Sequence, residues 1–265
     1  MIQRAHHFEN VTLLITHYNR SKSLERLLEH FEKVDCSFNE VVVSDDGSKA
    51  EHLTFIENLK SRFQFQLVTT PKNKGLGNNI NKGQDMVKSP YTLYVQEDFI
   101  PLEGCEIPLK KALSFLDGDK QLDTIRFYSY LEYTHKKPYK DGFSEMIFDH
   151  WSGNLDKFPL YSDHPHLRRS NFFEKFGRYS EMKNPEKTEF DMMISFLQNK
   201  GRGLLYDNFK SVFDQINTSS EPSTMIEERK SWRQSGNVLI AGIRYIYRYV
   251  LFNYSLYFKK YSPKA

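Results

Sequence analysis

The N-terminal part of the chain alternates between short apolar runs and longer stretches where apolar residues recur every three or four positions. Val11-Thr12-Leu13-Leu14-Ile15, Val41-Val42-Val43 and Tyr91-Thr92-Leu93-Tyr94-Val95 are too short for helices and rich in β-branched and aromatic residues. They read as buried strands, and Phe65 to Thr69 as another. Between them, Leu24, Leu27, Leu28 and Phe31 mark one face of a helix over Ser21 to Lys33, with Ser21 as its N-cap. Leu53, Ile56, Leu59 and Phe63 repeat the pattern over 51–63, and Asn79 to Val87 predicts a further helix. Strand and helix in steady alternation predict an α/β fold, with a mostly parallel central sheet flanked by helices.

The chain becomes less regular after residue 104. Thr124 to Tyr130 and Met146 to His150 read as strands, and Trp151 to Arg169 as a loop. Arg169 to Gly177 predicts a short helix. Thr188 to Asn199 predicts a longer one, with Thr188 as N-cap and Asp191 completing a capping box. Ser219 to Ser223, with Pro222, reads as a linker to a helical C-terminal tail. The expected organisation is one domain over 1–218, with halves 1–103 and 104–218, followed by linker and tail over 219–265. No internal repeat is visible.

Three of the apolar runs end in a polar segment: Thr16-His17-Tyr18-Asn19-Arg20, Ser44-Asp45-Asp46-Gly47-Ser48 and Gln96-Glu97-Asp98. The carboxyl ends of parallel strands line one crevice, where ligands bind. Two of these segments place adjacent acids there, and such acids repel unless a cation or hydrogen-bond donors compensate. A nucleoside diphosphate with a divalent ion supplies both.

At these residues the chain resembles inverting nucleotide-sugar glycosyltransferases of the family 2 type, whose fold is called GT-A. That family has a Thr/Ser-x-Tyr-Asn-Arg turn, matched by Thr16 to Arg20, and an Asp-Asp-Gly-Ser turn, matched by Asp45 to Ser48. Asn73, Gly75, Asn81 and Gly83 fit its Asn- and Gly-rich stretch. Its Asp-x-Asp signature is replaced by Gln96-Glu97-Asp98, which keeps only the last acid.

The resemblance implies nucleotide contacts from Thr16, Tyr18, Asn19, Asp45, Asp46, Lys72, Asn73, Gly75, Asn81 and Glu97. It implies Mn2+ or Mg2+ at Asp98, and oxygen ligation suits both ions. It places the general base at Glu189, with Asp191 as second choice. Bland readings stand beside these: a tight turn at Asp45–Asp46, a solvated loop at Lys72 to Lys82, solvated strand-end acids at Glu97 and Asp98, and helix capping at Thr188 to Asp191. Asp163-His164-Pro165-His166-Leu167-Arg168-Arg169 lacks the spacing of a zinc helix. Its His164, His166, Arg168 and Arg169 are expected to contact donor phosphates or the acceptor. Trp151 reads either as a sugar-stacking platform or as a core residue.

Charge and composition narrow the picture. Thirty-seven basic and 34 acidic residues nearly cancel, which gives no reason to expect nucleic-acid binding. Two cysteines, Cys36 and Cys105, propose neither a metal site nor a disulfide framework and suit a reduced cytoplasm. Met1 to Asn10 has no apolar signal region, and no run is long and apolar enough to span a bilayer. From Arg229 onward there are eight Lys or Arg and no acid. On a helix, Asn237, Arg244, Arg248, Ser255 and Lys259 share a face beside a broad apolar surface. The tail therefore reads as a helix in the interface of an inner membrane leaflet, or one docked on its own domain or on a homodimer partner.

The expected activity is transfer of a sugar from a nucleotide-diphosphate donor, with uridine favoured, to a hydroxyl of a glycan or lipid-linked acceptor. The alternatives are a nucleotidyltransferase on a similar sheet and a degenerate glycosyltransferase-like binding or scaffold protein. The first wants a Gly-rich basic loop after the first strand, which is absent; the loss of an acid at Gln96 favours the second.

Overall fold

We describe residues 5–222 and 238–260 of a computed structural model of the chain. The N-terminal half is built as the periodicity predicts. Strands β1 (His6–His17), β2 (Cys36–Asp45), β3 (Gln66–Thr69) and β4 (Tyr91–Gln96) alternate with helices α1 (Ser21–Lys33), α2 (Ala50–Leu59) and α3 (Leu76–Gln84). Strand β5 (Phe99–Pro101) and helix α4 (Glu106–Gly118) follow. Then come β6 (Thr124–Arg126), β7 (Lys136–Pro138), β8 (Phe143–Met146), β9 (His166–Arg169), α5 (Phe172–Phe176), α6 (Pro185–Gln198), β10 (Gly203–Tyr206), β11 (Phe213–Gln215) and α7 (Val238–Phe258).

Nine strands form one sheet in the order β3-β2-β1-β4-β9-β6-β10-β8-β7. Only β9 and β8 run against the other seven, so the sheet is mostly parallel. A second small sheet pairs β11 with β5. One face of the large sheet packs on α1, whose Leu24, Leu27, Leu28 and Phe31 are buried as their spacing requires. The other face packs on α3 and α6, with Leu14, Val42, Ile80 and Phe196 together in a second apolar cluster.

Several boundaries differ from expectation: of the strands expected over Thr124 to Tyr130 and Met146 to His150, β6 stops at Arg126 and β8 ends at Met146. Residues 151–169 contain β9, inserted antiparallel between β4 and β6. Its alternation is hidden because two of its fully buried positions are His166 and Arg168. Helix α6 begins three residues earlier than expected, at Pro185, and its cap is Asn184, whose side chain accepts from the Lys187 N–H. Thr188 is therefore inside the helix, its hydroxyl donated to Ser180 O and Asn184 O.

Nor are residues 219–222 a free linker. Helix α1 has no side-chain cap of its own, since Arg20 and not Ser21 occupies the cap position. The Glu221 carboxylate accepts from Lys22 N at 3.0 Å, Ser23 N at 2.8 Å and Ser23 Oγ at 2.6 Å. A carboxylate there also suits the positive end of the helix dipole. Met1 to Arg4, and the tail positions Arg229, Lys230, Arg233, Asn237 and Lys264, lie outside the described residues.

Candidate active site

The carboxyl ends of β1, β2 and β4 meet in one crevice, and the turns that follow them are locked together. Asn19 adopts a left-handed conformation at φ 53°, which asparagine tolerates better than most residues. Its side chain accepts from Lys49 N and its own N–H donates to Ser48 Oγ, both at 2.8 Å. The buried Thr16 hydroxyl shares a hydrogen bond with Tyr94 OH, while Tyr18 stays half-exposed.

Asp45 is fully occupied. Its Oδ1 meets His17 Nδ1 at 2.8 Å and Ser48 Oγ at 2.5 Å. Its Oδ2 accepts from Gly47 N and Ser48 N, both at 3.0 Å, and from Thr69 Oγ1 at 2.7 Å. Burial alone would raise its pKa, but the hydrogen bonds from His17, Ser48 and Thr69 outweigh it and hold the carboxyl below the usual range. Burial pushes the His17 pKa down despite Asp45, so its ring is neutral and its Nε2 accepts from Arg20 N. Asp45 thus builds the turn, with both oxygens bonded within the protein. Gly47, at φ 69°, is required because a Cβ would stand 2.4 Å from the Lys72 carbonyl carbon.

Asp46 is held by the next loop, accepting from Lys74 N at 2.9 Å and Gly75 N at 2.8 Å. Burial raises its pKa against those bonds and nearby Lys82, whose ammonium donates to Asp45 O. Lys72 and Asn73 are exposed on this loop. Two expected nucleotide contacts have other work. Gly75 lies against Met182 O, and Asn81 is bonded to both N and O of Tyr179. The Asn- and Gly-rich stretch therefore clamps α3 onto the segment before α6.

The second acid pair is built differently. Arg20 Nη1 lies 3.4 Å from Glu97 Oε1 and 3.2 Å from Asp98 Oδ2. The Gln215 amide donates to Asp98 Oδ2 at 2.9 Å. Burial, then the neighbouring Asp98, push the Glu97 carboxyl up to about 8 against the pull of Arg20. Asp98 Oδ1 is buried without a hydrogen-bond partner. Among the described residues no three His, Cys, Asp or Glu side chains group as a metal cage. The orphaned Oδ1 nonetheless fits an ion held by one carboxylate and by phosphate oxygens, as magnesium is often held.

From Asp98 a chain of contacts runs to α6. Gln215 Oε1 accepts from Tyr130 OH at 2.8 Å, and the Tyr130 ring meets the His164 ring edge-on at 4.5 Å. Next to it, Asp163 N donates to Glu189 Oε1 at 3.3 Å. Burial and Arg126 push the His164 pKa down to about 3, so its ring is uncharged. Glu189, half-buried on α6, thus reaches this loop, whereas Asp191 accepts from Ser180 Oγ.

Three expected contacts with phosphate or acceptor are corrected. Arg168 is fully buried, bonded to Gln84 Oε1 and packed on the Phe172 and Phe173 rings. Arg169 donates to the carbonyls of Leu116, Leu122 and Asp119 at the end of α4. His166 is buried on β9, bonded to His164 O, and kept neutral by burial and by Arg168. Trp151 is 96% exposed, which removes the core reading. Sequence reasoning gave no role to Arg20, although it lies within the first motif, and none to Asp163, Tyr130 or Gln215, which no spacing marks.

The Glycosyl transferase family 2 model matches residues 12–177, more than half of the chain. A poly-beta-1,6-N-acetyl-D-glucosamine synthase of Staphylococcus aureus is 26% identical over 92 residues, 35% of this chain and 22% of that protein's length. Among solved structures, S. aureus TarS 1–349 aligns with a TM-score of 0.54 at 19% identity, covering 77% of this chain and 59% of that one. The same TarS segment in complex with UDP-GlcNAc aligns with a TM-score of 0.55 at 18% identity, covering 77% and 57%. At these identities the structural likeness speaks for the fold, a central sheet flanked by helices as in TarS.

Proposed function

From the premise that the chain belongs to glycosyl transferase family 2 and is a glycosyltransferase, we propose that it transfers a sugar from a uridine diphosphate donor, with inversion, to a hydroxyl of a glycan or lipid-linked acceptor. Glu189 takes the acceptor hydroxyl proton as that oxygen attacks the anomeric carbon. The bond from that carbon to the diphosphate breaks, and its electron pair leaves with the nucleoside diphosphate. Asp46 and Tyr18 face the nucleoside. Arg20 and Lys82 supply fixed positive charge near the diphosphate. A divalent ion, when bound, adds charge that stabilises the leaving group, and Asp98 is the residue that would hold it.

The observation that carries this reading is the unbroken run of contacts from Arg20 and Asp98 through Gln215, Tyr130 and His164 to Asp163 and Glu189. The named relatives agree with it: a polysaccharide synthase in sequence, and a UDP-GlcNAc complex in fold. The test is calorimetry with UDP, with and without Mn2+, followed by turnover of Glu189→Gln. We expect binding strengthened by the ion, and turnover reduced by ~10²-fold or more with nucleotide affinity nearly intact. Absence of UDP binding would point to a scaffold, and full transfer by Glu189→Gln with loss in Asp191→Asn would move the base.

The same reading places the enzyme against an anionic bilayer. No helix among the described residues is long and apolar enough to cross a membrane. Helix α7 docks through Phe252, which meets the rings of Phe158 and Phe190, and through Gln198, which donates to three carbonyls at its end. Its opposite side leaves Ile243, Ile246, Tyr247, Val250, Tyr254 and Tyr257 between 51% and 67% exposed. The helix and its end carry Arg244, Arg248, Lys259 and Lys260 and no acid, with Arg248 over the Phe252 ring and the cations flanking the exposed stripe. Paired substitution of Ile246 and Val250 by Glu should abolish flotation with anionic vesicles while leaving the fold intact, and undiminished flotation would refute the placement.

A further inference from the structure

Resting on the assignment of Glu189 as base, we propose that Asp163 is a positioning residue for Glu189, holding its carboxylate by a shared proton. Asp163 ends the loop that leads into β9, and only 6% of it is exposed. Its backbone N–H donates to Glu189 Oε1 at 3.3 Å, which brings the two carboxyl groups into one place. Two carboxyl groups can bond to each other only if a proton lies between them.

The surroundings settle which charge state is affordable. The charged group facing the pair is Arg126 on β6, fully buried, its Nη1 bonded to Pro159 O and its Nε unpaired. The remaining titratable neighbours are neutral: Tyr94 on β4, Tyr130 after β6, Tyr161 on the same loop, Tyr179 before α6, and His164, whose pKa burial depresses. With both acids ionised, two carboxylates would face one guanidinium, Asp163 among them buried from solvent. With one proton between them, a single carboxylate faces a single guanidinium. Burial, then the Glu189 charge, raise the Asp163 pKa well above the ordinary carboxylate value, so Asp163 is the partner that keeps the proton.

The consequence for the reaction is twofold. Glu189 receives two donors from one residue, the Asp163 O–H and its N–H, which fix the direction of its free oxygen. Keeping the shared proton on Asp163 also leaves the free Glu189 oxygen to take the acceptor proton. A general base off its line forfeits much of its contribution even when its charge is right.

The test compares Asp163→Asn with Asp163→Ala in the full chain, with Glu189→Gln as reference. Asparagine presents an N–H in place of the O–H, and is expected to keep kcat within ~3-fold, the scale of one altered hydrogen bond. Alanine should lower kcat by ~10- to 100-fold at unchanged donor KM, a share of what a placed base contributes. The wild-type rate should also fall at alkaline pH, as Asp163 loses its proton and the pair repels; Asp163→Asn should lack that fall. Equal damage from Asn and Ala, or an alkaline fall surviving in Asp163→Asn, would overturn the proposal. If Glu189→Gln retains full activity, the base assignment fails, a result distinct from these two. A thermal melt of each variant separates lost folding from lost positioning.

Discussion

Two pairs of adjacent acids stand at neighbouring strand ends, and they are opposites. Asp45 and Asp46 accept from a dense set of donors: an imidazole, two hydroxyls, and backbone N–H groups on both sides of the crevice. Glu97 and Asp98 share one guanidinium and one amide, and one oxygen is left bare. Asp45 has spent its hydrogen-bonding capacity on architecture, and Asp46 is held with one backbone donor on each oxygen. The second pair retains capacity for something that arrives. Acids side by side in a sequence are therefore not evidence of chemistry until their partners are counted.

The largest test of this contrast is Asp45→Ala. It strands His17, Thr69, Ser48 and two N–H groups, and should cost ~3–5 kcal/mol, as breaking a buried charged network does. Urea denaturation measures it. The sign of its pH dependence follows from the depressed pKa: the contribution is present above the ordinary 3.8 and lost as pH falls through the lower folded value. The difference between wild type and Asp45→Ala should therefore shrink in strong acid. Asp98→Asn should act oppositely. It relieves repulsion with Glu97, so the melting temperature should hold or rise, while ion-dependent UDP affinity drops ~10-fold or more, about 1.4 kcal/mol. If Asp45→Ala keeps its stability and loses only UDP binding, the contrast is reversed. The smallest effect belongs to Thr69→Val, which removes one of Asp45's donors and should cost about 1 kcal/mol with UDP affinity unchanged.

Much of the N-terminal half could be read in advance because its chemistry and its packing share a rhythm. The apolar runs of β1, β2 and β4 end at the polar turns, and Leu24, Leu27, Leu28 and Phe31 point α1 at the sheet. The C-terminal half is less transparent where burial is polar. Strand β9 hides two cationic or ionisable side chains, and only their partners, Gln84, Tyr161, Tyr179 and the aromatic rings, explain why they can be inside. The start of α6 was displaced because Asn184 and Pro185 outcompete Thr188 as a helix opening. The contacts of Asp163 with Glu189 and of Arg20 with Glu97 and Asp98 join distant segments, and no local spacing records them.

The tie between Arg20 and the segment after β11 has a consequence for how the enzyme is made. Arg20 donates to Asn217 Oδ1 and to Glu221 O, the latter 201 positions along the chain, and Glu221 closes the amino end of α1. A chain leaving the ribosome presents Arg20, Glu97 and Asp98 long before Glu221 appears. During that interval α1 lacks its cap and the guanidinium lacks its far anchors. The crevice can be roughed out early, but it is fastened only when residue 221 emerges, so a chain stalled before that point holds its acids without their final clasp. Synthesis itself thereby delays the moment at which the crevice is complete.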